Sequence, residues 1–161
     1  MSQHTIGRRQ VVRTAAAVAA GGALVGGTGI AAASASGTSS ARGVLGAWWV
    51  THTDNPPGDP TPGISVVSFA EGGAFTATDI RPAGGTGVGA WTATSSNRFR
   101  VSYWAAVPLE PGAPGGSINI RVRGHVNGDS VAGTYAVTVY DPTGAQLQTG
   151  TGTFTGTRLM P

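Results

Sequence analysis

RFRVSYWAAV, residues 98–107, alternates at every step. Phe99, Val101, Tyr103, Ala105 and Val107 fall on one side of an extended chain, and Arg98, Arg100, Ser102 and Trp104 on the other. A period of two is the signature of a β-strand with one dry and one wet face. Residues 117–127 repeat it, with Ile118, Ile120, Val122 and Val126 opposing Asn119, Arg121, Arg123 and His125. No stretch after residue 40 sets apolar residues at helical spacing. The pattern predicts eight strands, at 46–53, 63–70, 73–80, 87–95, 98–107, 117–127, 130–140 and 146–159. Such strands make an all-β antiparallel sheet, closed into a barrel or folded into a sandwich.

The connections discriminate between the two. Glu71-Gly72-Gly73, Ser95-Ser96-Asn97 and Asn127-Gly128-Asp129 are tight and built from residues that tolerate positive φ. Residues 54–62, 81–86, 108–116 and 141–145 form longer, proline-bearing links. Tight and long links alternate along the chain, so an up-and-down meander gathers the tight ones at one end and the long ones at the other. That arrangement predicts an eight-stranded antiparallel up-and-down β-barrel with a closed base and an open mouth.

GAWWV, residues 46–50, opens the first strand with adjacent tryptophans. Neighbours on a strand point to opposite faces, so Trp48 enters the barrel and Trp49 stays outside. Gly46-x-Trp48 resembles the Gly-x-Trp signature of the lipocalin and avidin-like (calycin) barrels, whose tryptophan closes the base and is often covered by an arginine. That resemblance implies a structural closure by Gly46, Trp48 and Arg158, the arginine coming from the final strand, GTGTFTGTRL. GVGAWTATSSNRFRV, DSVAGTYAVTVYDPTG and GTGTFTGTRL also resemble a group of small bacterial barrel proteins. The biotin-gripping residues of avidins find no counterparts here, so that activity is not implied.

Upstream, Gly7-Arg8-Arg9-Gln10-Val11-Val12-Arg13 resembles the bacterial twin-arginine export signal. An uncharged stretch from Thr14 to about Ala35 follows, and Ala33-Ser34-Ala35 offers the small-x-small step of a signal peptidase. The expectation is a cleaved signal over 1–35, a disordered linker over 36–43 and a lipocalin-like barrel over 44–161, secreted beyond the cytoplasm. A retained anchor is the alternative, but glycines and threonines make residues 14–35 a poor span.

Of ten basic residues, Arg8, Arg9 and Arg13 leave with that signal and no acid does, so seven arginines face seven carboxylates in the remainder. Net neutrality argues against a nucleic-acid partner, which needs a basic footprint. The chain has no lysine for Schiff-base chemistry and no cysteine for thiol chemistry or disulfides. Gly85-Thr86-Gly87-Val88-Gly89 imitates a phosphate loop but precedes a strand rather than opening a helix. Asp54, Asn55 and Asp59 carry oxygens that suit a hard cation, yet beside Pro and Gly they read as turn formers. No cofactor or metal is expected. Trp49 and Trp104 read as half-covered surface aromatics, with homo-oligomer contact through either as the alternative.

Counting inward from Trp48 puts His52 at the mouth, and the same parity brings Asp79 to that end. Tyr103, Tyr135 and Trp91 fall on inward faces lining the middle. An apolar chamber with a few convergent polar groups is the usual form of a small-molecule site, which makes His52, Asp79, Trp91, Tyr103 and Tyr135 the candidate ligand-binding residues. The expected function is a secreted barrel holding a small apolar or amphipathic ligand, free of nucleic acid and of the membrane. Two alternatives stay open. One is a cofactor-free isomerase or cyclase of the allene-oxide-cyclase or dirigent kind, since a histidine near a carboxylate is the minimum for acid–base work. The other is a solid-core protein acting through its loops, since eight strands can be filled by their own side chains.

Overall fold

The alternation closes on itself. In the computed structural model, which describes residues 43–82, 84–107 and 115–160, eight antiparallel strands follow one another round a barrel. They are β1 (Gly46–Asp54), β2 (Gly63–Phe69), β3 (Ala74–Arg81), β4 (Thr86–Ala93), β5 (Arg98–Val107), β6 (Gly116–Asn127), β7 (Ser130–Tyr140) and β8 (Gln146–Arg158). β1 pairs with β2 on one side and β8 on the other, which excludes the sandwich. The turns at 70–73, 94–97 and 128–129 all lie at the base, and the strand ends that the longer links join lie at the mouth. Closure leaves no strand edge unpaired. The expected signal over 1–35 and all but the last residue of the expected linker over 36–43 lie outside the described residues.

Aromatic packing closes the base. Phe69 meets Phe75 and Phe99 edge-on, each at 5.0 Å between ring centroids, and Trp91 at 5.7 Å. Edge-to-face contacts of this kind add roughly 0.5–1.5 kcal/mol each beyond area burial. Trp48 is fully buried, and its indole nitrogen donates to the Val44 carbonyl at 2.8 Å. The Arg158 guanidinium lies 4.2 Å from the Trp48 ring centroid, as the Gly-x-Trp resemblance implies. It donates to the carbonyls of Leu45 and Gly43 and to Asp129. Gly46 lies beneath that arginine with φ +108°, a backbone conformation few other residues adopt.

Higher in the barrel, inward aromatic rings face inward glycines on neighbouring strands. The register pairs His52 with Gly63, Tyr103 with Gly89, Phe99 with Gly124, Phe154 with Gly133 and Tyr135 with Gly152. A Cβ at these glycines would come within 2.3–2.8 Å of the His52, Tyr103, Phe99 and Phe154 side chains and 2.2 Å of Tyr135. The rings therefore lie against the wall over glycine instead of filling the centre. Outside, Trp49 and Trp104 are 40% and 49% exposed, and Trp104 stacks beside Tyr140 at 5.4 Å.

Candidate functional site

The lumen opens at the mouth as a cavity of about 290 Å³. Its floor is Phe69, Phe75, Phe99 and Phe154, and its walls are mostly valine, isoleucine and alanine. The upper lining carries His52, Asp54, Ser65, Asp79, Tyr103 and Tyr135. A lumen of this size sits near the low end of the range for small-molecule sites, roughly 300–1,000 Å³.

His52 and Asp54 follow Trp48 and Val50 at inward positions of β1. Asp54 pairs with Gly152, which pairs in turn with Tyr135. With no side chain on Gly152 between them, the Tyr135 hydroxyl crosses β8 and donates to Asp54 Oδ1 at 2.5 Å. The His52 ring stands edge-on to Tyr135, with centroids 6.1 Å apart. On the other side of the mouth, the buried Ser65 hydroxyl donates to Asp79 Oδ1 at 2.6 Å across the β2–β3 pair.

Both tyrosines have their pKa pushed well above the ordinary phenol value of 10. Burial is the main cause for each. For Tyr103 the Asp79 charge adds to it, and for Tyr135 the hydrogen bond and charge of Asp54. Both phenols are therefore neutral donors across the physiological range. The Tyr103 hydroxyl has no hydrogen-bond partner among the described residues and belongs to the cavity lining.

Four of the five residues expected to bind ligand, His52, Asp79, Tyr103 and Tyr135, share this lining. Trp91 does not. It was expected midway up the cavity, but its indole nitrogen donates to the Ala70 carbonyl at 2.9 Å and its ring packs on Phe69, which makes it part of the base. The cause is position: Trp91 is only two residues from the lower end of β4, below the point where the phenylalanine floor closes. Gly46, Trp48 and Arg158 take no part in the cavity lining.

Three polar lining residues, Asp54, Ser65 and Gln148, are not among the candidates drawn from the sequence. The sequence pattern ends strand one at residue 53 and leaves Asp54 in the loop, whereas β1 runs through Asp54. Parity from Trp48 was the signal that could have found it. Ser65 carried no signal beyond its inward parity. Among the described residues, no three His, Cys, Asp or Glu side chains are grouped to hold a metal ion. Comparison with protein-family models, curated proteins and solved structures finds no match for this chain.

Proposed function

We propose that the protein is an exported binding barrel that holds a small apolar or amphipathic molecule inside its lumen. The carrying observation is the open cavity itself, apolar in its depth and polar only near its rim. Such a lumen favours this reading over a solid core, because glycines opposite the rings keep the side chains against the wall. The phenols of the rim do not supply a general base. They are held neutral, one of them by donating to Asp54, so neither is poised to remove a proton near neutral pH. The twin-arginine-like segment supports export.

Titration with the neutral fluorophore N-phenyl-1-naphthylamine tests the reading. Saturable binding is expected in the parent, weakened in Tyr103→Phe and His52→Ala. Native mass spectrometry of freshly purified protein is expected to show an adduct of a few hundred daltons or less. If no probe saturates and no guest mass appears, the lumen is not a binding site. Export is read separately, by the N-terminus of protein recovered from the culture medium, expected near residue 36.

A further inference from the structure

Every charged group described in the lining of the cavity is acidic or a histidine. Asp54 and Asp79 approach the rim from β1 and β3, and no arginine lies among the lining residues. Six arginines are described, and the fold keeps all of them out of the cavity lining. Arg98, Arg100, Arg121 and Arg123 occupy the wet faces of β5 and β6, and Arg158 is bound at the base. Arg81 is the instructive case. Two residues beyond Asp79, it would share the inward face in a regular strand. The β2–β3 register instead shifts between Ile64 and Ser65, so that Ser65 pairs with Asp79 and Ile64 with Arg81, leaving Ile80 as the extra residue of a bulge. Arg81 is exposed, outside the lining, and makes no ion pair with Asp79. A bulge of this kind re-aims a side chain. Here it withdraws the cation that would have neutralised Asp79.

The two carboxylates are held by neutral hydroxyls, Tyr135 for Asp54 and Ser65 for Asp79, which orient them without cancelling their charge. Beside them stand the Tyr135 ring, whose face attracts a cation, and the unpartnered Tyr103 hydroxyl. A cleft lined by one sign of charge with low-dielectric walls concentrates its field on a ligand of the opposite sign. A buried ammonium group needs such pairing, and a buried carboxylate would be repelled by it.

We infer that the ligand class of this barrel is a cationic amphiphile: a compact hydrocarbon or aromatic body seated on the phenylalanine floor, with an amine or quaternary ammonium head at the rim between Asp54 and Asp79. This rests on the binding function proposed above and narrows it.

Three probes of matched size decide it. 2-Phenylethylamine, 2-phenylethanol and 3-phenylpropionate are titrated calorimetrically at pH 7.5 and low salt into the full barrel. The amine is expected to bind at least tenfold tighter than the alcohol, and the carboxylate more weakly than either. In the double variant Asp54→Asn/Asp79→Asn, with its melting transition checked, the amine-to-alcohol ratio is expected to fall to within about twofold. Gln148→Arg, which adds a cation at the lip, is expected to lower the same ratio several-fold without touching either aspartate. Equal affinities for the three probes, or preference for the carboxylate, would overturn the inference while leaving the binding function standing. An amine preference that survives both variants would overturn it as well. If none of the three probes nor N-phenyl-1-naphthylamine binds to folded protein, the binding function fails and takes this inference with it.

Discussion

At the base of the barrel, the inward positions of β1 and β8 hold Trp48 and Arg158, stacked and tied to carbonyls of the preceding segment. Six residues further along β1, roughly 20 Å up the strand, the inward position holds Asp54, which accepts a hydrogen bond from a tyrosine hydroxyl across a glycine. The same period-two pattern builds both ends. What differs is which partners the side chains meet. At the base, rings meet rings and the arginine meets acceptors, so burial adds stability. At the mouth, carboxylates meet neutral donors, and their charge remains available to a visitor. Under the proposed function, stability and recognition are separated along one strand.

Substitutions at the two ends should show that separation. Trp48→Ala removes a fully buried ring and is expected to destabilise by about 3–5 kcal/mol, read as loss or a large shift of the urea midpoint. Midway up, Gly133→Ala sets a Cβ 2.1 Å from the Arg123 carbonyl oxygen, which is backbone and cannot swing aside. Overpacking of this kind costs about 1–3 kcal/mol, and denaturant unfolding measures it.

Arg158→Ala removes the contact with Trp48, worth about 0.5–2 kcal/mol, along with the two carbonyl bonds. Its bond to Asp129 sits at an exposed site and adds little. A melting temperature unchanged by Arg158→Ala would mean that the base does not depend on that closure. Asp54→Asn at the mouth keeps an acceptor for the Tyr135 hydroxyl and is expected to cost no more than about 1 kcal/mol at pH 7. A larger loss would show that the rim is part of the structural core, and the contrast between the ends would collapse.

Alkaline titration sharpens the same comparison. Tyr103 and Tyr135 have pKa values raised above 10 in the fold, so the unfolded chain ionises first as pH rises. Their contribution to stability is complete below pH 10 and is lost as pH climbs from 10 through the folded values. Absorbance at 295 nm should show two phenols titrating late, together with a falling urea midpoint above pH 10. Asp54→Asn should bring Tyr135 ionisation down but not to the ordinary value, because burial is the larger cause.

Much of this architecture was legible in the residues alone, because period-two alternation and turn composition are local. RFRVSYWAAV declares its faces by steric alternation within ten residues, and the alternation of short and long links follows from glycine, asparagine and proline. Eight strands, a closed base and the pairing of Trp48 with Arg158 came from that information, the last with the help of a family resemblance. Local information also carried His52, Asp79, Tyr103 and Tyr135 to the lumen, since parity within a strand is enough to choose a face.

Height within the barrel and contact between strands were not legible, because they depend on register between segments distant in the chain. Trp91 has the right parity and the wrong depth, set by where the phenylalanine floor closes beneath the cavity. Asp54 looked like a turn former because what draws it into the strand is its pairing with Gly152, 98 positions away. Arg81 would have neutralised Asp79 by simple alternation, and only the bulge at Ile80 sends it outside. Local sterics in the sequence chose the faces of the strands. The register of the closed barrel, in which every strand must fit two neighbours at once, decided which of the inward side chains meet and what charge the lumen keeps.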